Sequence, residues 1–223
     1  MYNILSNSYN RELKATRVDL SSLGISDVKR GSGHGICAYT IDHVCTPEEC
    51  AALIELSESN GYNPAMMDVG KGQQLITDLR KSSRYMRDDK KLADALWSRV
   101  RHLVPDQWED YSSVGLNERF RFLRYDPGDY FKPHGDGNYQ RPDGSETSFL
   151  SFQLYLNDDF VGGETAFLYH NKKVKVAPKT GRILFFEHSL FHEGALVESG
   201  KKYLIRTDVM YETDKHVIAI SSK

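Results

Sequence analysis

The stretch "SFLSFQLYLN", residues 148–157, alternates without a break: Leu150, Phe152, Leu154 and Leu156 fall on one face, and Phe149, Ser151, Gln153 and Tyr155 on the other. Period two over this length marks a strand with one face in a core. "ERFRFLRY" upstream sets Phe120 and Phe122 against Arg121 and Leu123. Downstream lie "ETAFLY", "KKVKVAP", "GRILFFEH" and "KKYLIRTDVMY", separated by turn signals at Gly162-Gly163, Asn171, Lys179-Thr180-Gly181 and Ser199-Gly200. Short strands at close spacing, with no helices between them, predict an antiparallel barrel or jelly roll whose mouth can hold a small ligand.

Upstream of Val114 the period lengthens. "TPEECAALIELSESNG", residues 46–61, contains a complete helix start, with Thr46 as N-cap, Pro47 behind it and Glu49 closing a capping box; Gly61 supplies the stop. A second helix is predicted in "DDKKLADALWSRVRHLVP", where Leu92, Leu96, Val100 and Leu103 share a face, Asp88 or Asp89 caps and Pro105 terminates. "NPAMMDVGKGQQLITDLRKSSRYM" between them reads as a strand pair or a loop. The expected organisation is an extension over 1–40, a helical support region over 41–113, a jelly-roll core over 114–213 and a tail over 214–223. The fold class is mainly β with flanking helices (α+β).

The chain has 223 residues and a formal charge of −2, which argues against the broad basic field of a nucleic-acid binder. Cys37, Cys45 and Cys50 have neither disulfide-framework nor C-x-x-C spacing. The first twenty residues lack a secretory pattern, and no apolar run approaches a membrane span, so a soluble cytoplasmic chain is expected.

Chemistry concentrates after the first core strand. In "FKPHGDGNY", residues 131–139, only Gly135 separates His134 from Asp136, so on an extended chain the two side chains point the same way. His192, in "HSLFH", is the best third donor; His188 would pair with it as zinc ligands only on a helix, and "GRILFFE" reads as strand. Two imidazoles and one carboxylate on one face of an octahedron leave adjacent positions open, the donor set of non-haem Fe(II) oxygenases. On the last strand Lys202, Leu204, Arg206 and Asp208 alternate onto one face, where Lys202 and Arg206 would meet the far end of an anionic chelating cosubstrate such as a dicarboxylate. Tyr155 offers a hydroxyl from its polar face, and Tyr125 leads into the metal loop.

"FLRYDPGDYFKPHGDG", "LYLND", "GGET" and "FHEGALVESGKKY" in this order resemble the catalytic core of 2-oxoglutarate and Fe(II)-dependent dioxygenases of the prolyl 4-hydroxylase type, and the capped helix resembles the one preceding that core; together the resemblance spans roughly residues 40–212. It implies a double-stranded β-helix packed against N-terminal helices. It also implies Fe(II) on His134, Asp136 and His192, with 2-oxoglutarate held by Tyr155 and Lys202 beside Tyr125. Lys202 stands ten residues after His192, behind Gly200, as the basic residue does in prolyl 4-hydroxylases; Arg206 is its rival, since many related oxygenases use arginine here. The implied reaction consumes O2, releases succinate and CO2 and hydroxylates an unactivated C–H bond, with ascorbate as a candidate reductant. The acceptor would be a protein residue such as proline, or a small molecule.

Duller explanations stand beside these. Tyr125 and Tyr155 are also ordinary barrel-lining aromatics, Arg80 and Arg84 in "RKSSR" are also surface arginines, and "GSGHG" at 31–35 reads as a connector. "GNYQRPDGSETS", residues 137–148, is expected to form a rim loop that meets the acceptor. A cupin-type metal protein without keto-acid turnover and a non-catalytic module remain the competing classes.

Overall fold

A computed structural model describes residues 4–5, 9, 11–25, 37–68, 70 and 72–213; the 31–35 connector and the 214–223 tail lie outside them. Two antiparallel sheets face each other. The larger runs, in spatial order, through Ala15–Arg17, Ala38–Ile41, Ile183–Glu187, Glu146–Tyr155, Lys202–Thr213, Arg119–Tyr125, Ser83–Asp88 and Asn63–Pro64. Tyr111–Leu116 pairs with the far half of the Lys202–Thr213 strand. The smaller sheet runs Lys172–Val176, Thr165–Tyr169, His192–Gly194, Tyr130–His134 and Arg80–Lys81. This is the jelly-roll architecture expected from the strand spacing.

Period-two patterning creates two cores from one sheet. Phe120, Phe122, Leu150, Phe152, Leu154, Ile183, Phe185, Ile205 and Val209 turn outward and bury the helices' Cys50, Leu53, Leu92, Leu96 and Val100. The opposite faces of the same strands send Leu123, Tyr125, Tyr155, Leu184, Phe186 and Leu204 into the roll, against Phe167 and Val176 of the smaller sheet. One residue departs from the alternation: Ser148 pairs with Met210 and Leu150 with Val209, leaving Phe149 as the extra residue of a β-bulge. Phe149 therefore leaves the face of Ser151 and Gln153 and stacks on Trp108, with ring centroids 5.6 Å apart, in the outer core.

Helix α1 (Pro47–Asn60) begins with the predicted capping box and ends at Gly61; helix α2 (Lys90–Val100) is capped by Asp89. Glu49 has a second role beyond the box. Its carboxylate meets Arg99 of α2 at 2.7 Å, both side chains buried, and ties the helices together. The 63–86 stretch supplies strands, including the short hairpin Met67–Asp68 with Gln73–Gln74 and the Ser83–Asp88 strand on the larger sheet. Cys37, Cys45 and Cys50 are free buried thiols. Among the described residues no helix is long and apolar enough to cross a membrane.

Candidate metal centre and cosubstrate pocket

The antiparallel register brings the distant donors together. His134, at the end of the Tyr130–His134 strand, is the direct cross-strand partner of His192, so both imidazoles project to the same side. Asp136 follows two residues on, its backbone N–H donating to the His188 carbonyl at 3.0 Å. The donor atoms of His134, Asp136 and His192 all lie within 4.8 Å of one another. Asp136 Oδ1 lies 3.8 Å from His134 Nε2 and Asp136 Oδ2 lies 3.7 Å from His192 Nε2.

The imidazoles are oriented for ligation from behind. His134 Nδ1 meets the Lys132 carbonyl at 2.8 Å and His192 Nδ1 meets the Leu190 carbonyl at 2.8 Å. A carbonyl can only accept, so each Nδ1 carries the proton and each Nε2 presents its lone pair to the centre. Burial, and next the neighbouring His192, push His134 down to about 4; burial likewise lowers His192. Burial opposes ionisation of Asp136, but the Arg206 guanidinium 2.9 Å away, His192 and the Ser151 hydroxyl outweigh it and hold the carboxyl far below its ordinary range. Two neutral imidazoles and one permanent carboxylate fit a divalent first-row cation.

His188, the rival ligand, stands outside this group. The segment between the Ile183–Glu187 and His192–Gly194 strands is a turn, which removes the helical spacing that a zinc pair would need. His188 is buried, and its ring nitrogens have no hydrogen-bond partner among the described residues.

Behind the donors lies a pocket lined by Tyr125, Gln153, Thr165, Lys202, Leu204 and Arg206. Lys202 stands opposite Tyr125 across the sheet, and its Nζ is 5.0 Å from the Tyr125 ring and 5.8 Å from the Tyr155 ring. It donates to the Gly163 carbonyl at 2.6 Å. Gly163 has φ 67°, and a Cβ there would sit 3.2 Å from Lys202 Cδ, so a side chain would strain the turn and crowd the lysine. Burial pushes the Lys202 ammonium down to about 7, against the opposing pull of Glu164. The Tyr155 hydroxyl donates to Thr165 Oγ1 at 2.7 Å, and Thr165 donates to Gln153 at 3.1 Å.

The rival cations therefore occupy different ends. Arg206 stands beside Asp136 and Asp208 at the metal, while Lys202 is at the far end of the pocket. Ser151, Gln153 and Thr165 received no role in the sequence reading, although alternation already set Ser151 and Gln153 on the face of Tyr155; Thr165 carried no such signal. Arg80 is buried, with its guanidinium 4.6 Å from the Phe131 ring, which itself stacks on His134 at 3.5 Å. Gly137 and Tyr139 of the expected rim loop line an outer cleft of about 440 Å³, but Glu146–Ser148 belong to a strand.

Residues 120–207 match the model of the 2OG-Fe(II) oxygenase superfamily. The chain is 26% identical over 187 residues to prolyl 4-hydroxylase 1 of Arabidopsis thaliana, covering 71% of this chain and 63% of that protein. It spans between 33% and 63% of the length of the curated relatives it matches. Its fold is similar to that of the viral collagen prolyl hydroxylase of Paramecium Bursaria Chlorella virus-1, with a TM-score of 0.55, 22% identity and coverage of 79% and 96%. It is also similar to a Trichoplax adhaerens prolyl hydroxylase solved with a hypoxia inducible factor peptide, with a TM-score of 0.60, 18% identity and coverage of 83% and 87%.

Proposed function

We propose that this chain, whose core carries the 2OG-Fe(II) oxygenase superfamily pattern in a prolyl-hydroxylase-like jelly roll, is an Fe(II)- and 2-oxoglutarate-dependent dioxygenase that hydroxylates an unactivated C–H bond. The observation that carries this reading is the pairing, in one pocket, of a three-donor metal centre with a buried lysine that has no carboxylate in ion-pair range among the described residues.

His134, Asp136 and His192 would hold the iron, with their Nδ1 contacts keeping the imidazoles in the ligating tautomer. Lys202 would take the distal carboxylate of 2-oxoglutarate, and Tyr125 would line the channel between. Tyr155 is the second candidate contact, through its hydroxyl. Arg206 fixes the Asp136 carboxylate, so we assign it to metal support. The chemistry that bound iron would supply is the coupling of 2-oxoglutarate decarboxylation by O2 to oxidation of the acceptor C–H bond. Leu123, Leu204 and Phe131 would give the pocket apolar walls that limit the water around the centre.

The relatives favour a protein residue as acceptor, with proline the first candidate. The open outer cleft, walled in part by Met66, Met67 and Met86, suits an extended chain. The 137–145 segment would form its rim.

Anaerobic titration with Fe(II) and 2-oxoglutarate tests the proposal. We expect the weak visible band of the chelate in the wild type and its loss in His134→Ala and His192→Ala, with succinate formed once O2 is admitted. Metal binding without any effect of 2-oxoglutarate would instead indicate a cupin-type metal protein.

A further inference from the structure

The outer cleft has more positive charge than metal support can use. Direct cross-strand partners point to the same side of a sheet. Leu123 and Arg121 face the roll, so their partners Arg84 and Met86 on the Ser83–Asp88 strand face it as well. Arg80, Arg84, Arg121 and Arg206 thus converge on the space in front of His134 and Asp136.

Carboxylates answer only part of this charge. Arg121 is 3.3 Å from Asp208, and Arg206 lies between Asp136 and Asp208. Arg80 donates to the Ser82 hydroxyl and stacks on Phe131. Arg84 donates to the Met66 carbonyl and to Gln73, both neutral. Among the described side chains, neither Arg80 nor Arg84 pairs with a carboxylate. At the rim Arg119 is matched by Asp88, and Arg141 by Glu118 and Glu146, so the surplus belongs to the cleft floor. Iron and 2-oxoglutarate do not remove it, because a divalent cation and a dicarboxylate cancel, and the distal carboxylate already has Lys202.

We infer that the acceptor carries a carboxylate beside the carbon to be oxidised, and that Arg84, with Arg80 behind it, binds that carboxylate. This rests on the proposed oxygenase function and names its substrate class. A guanidinium fork matches a planar carboxylate through paired N–H donors. Arg80 is buried and Arg84 half-buried, and a desolvated guanidinium without an acid is costly unless a ligand anion completes it. Anchoring the 67–74 hairpin explains the two neutral contacts of Arg84, but it leaves the charge unneutralised.

The test uses the full chain with Fe(II) and 2-oxoglutarate under anaerobic conditions. Fluorescein-labelled octapeptides differ only in Glu, Gln or Lys flanking a central proline, and labelled N-acyl amino acids are supplied as free acids or amides. Anisotropy reads binding, and the chelate band reads the state of the centre. Acids are expected to bind at least tenfold more tightly than their amides. The preference should disappear in Arg84→Gln, survive in part in Arg84→Lys, and reverse towards Lys-containing peptides in Arg84→Glu. Preference among the peptides alone identifies a polypeptide acceptor, and preference among the small acids alone identifies a metabolite; either supports the carboxylate. Equal binding of acids and amides overturns the inference, as does a preference that persists in Arg84→Gln. Absence of the chelate band in wild type counts against the oxygenase function instead, while anisotropy still reads the carboxylate preference.

Discussion

Arg99 and Lys202 are both buried cations, and their surroundings differ in the way that separates architecture from chemistry. Arg99 gives both terminal nitrogens to Glu49, at 2.8 and 2.7 Å, and reaches the Val44 carbonyl at 2.8 Å. Lys202 has a single backbone carbonyl and, among the described residues, no carboxylate in ion-pair range. A buried charge answered by an acid needs no ligand anion, and the Glu49–Arg99 pair joins two helices. A buried charge answered by a lone carbonyl keeps an unmet electrostatic demand, which a ligand anion can supply.

Removing one partner of the satisfied pair should have the largest effect. Glu49→Ala leaves Arg99 buried without an acid and also breaks the α1 capping box, so a stability loss of about 3–5 kcal/mol is expected. Chemical denaturation measures it. The folded fraction should bind 2-oxoglutarate with unchanged affinity, because the helix layer lies across the large sheet from the pocket. A parallel loss of affinity would show that the two regions are coupled.

Lys202→Met should invert that result. With the ammonium gone, 2-oxoglutarate affinity is expected to fall about 100-fold, or ~2.7 kcal/mol. Stability at neutral pH should hold or rise, because a desolvated ammonium is replaced by an apolar chain of similar length. Calorimetry and thermal melts on the same sample separate the two effects. A destabilised variant with intact binding would return Lys202 to the architectural class.

The pH dependence is the next effect in size. In the folded chain the Lys202 ammonium is pushed down to about 7, against an ordinary 10.5. Below about 7 it is charged in both folded and unfolded chains, and its burial cost is complete. Between 7 and 10.5 only the unfolded chain keeps the proton, so this group makes stability rise with pH. Cosubstrate binding has the opposite sign, because the carboxylate needs the charged form. Above pH 7 the affinity should weaken by up to tenfold per pH unit, with uptake of about one proton measurable in buffers of different ionisation enthalpy. A flat profile in Lys202→Met would assign the effect.

Legibility in the sequence followed the same division. Alternation gave the paired faces of the Glu146–Tyr155 strand, and the capping signals gave both helices, because these are local properties. The bulge at Phe149 was hidden, since it depends on the register against the Lys202–Thr213 strand rather than on the residues themselves. The donors were visible as residue types, and their meeting required only that His134 and His192 pair across strands. The Arg80 environment was not visible: "RKSSR" looks like surface, and only the short Arg80–Lys81 pairing with the Tyr130–His134 strand brings that guanidinium onto Phe131.

Tyr155 lies on the boundary between the two classes and gives the smallest predicted effect. Its hydroxyl is fully buried and already donates to Thr165, which resembles the satisfied Arg99, yet it stands on the pocket strand beside Lys202, where a carboxylate would arrive. Tyr155→Phe removes one hydrogen bond, worth about 0.5–1.5 kcal/mol, and the observable it moves identifies the class. If the hydroxyl only holds Thr165 and Gln153 in place, the loss appears in the melting temperature and 2-oxoglutarate binds as before. If it turns to the cosubstrate, a few-fold rise in the 2-oxoglutarate Kd accompanies whatever the melt of the ligand-free chain loses with the Thr165 bond. We expect the second result, because Thr165 can still donate to Gln153 without Tyr155, whereas an ammonium with one carbonyl partner needs a neighbouring donor to complete the carboxylate site.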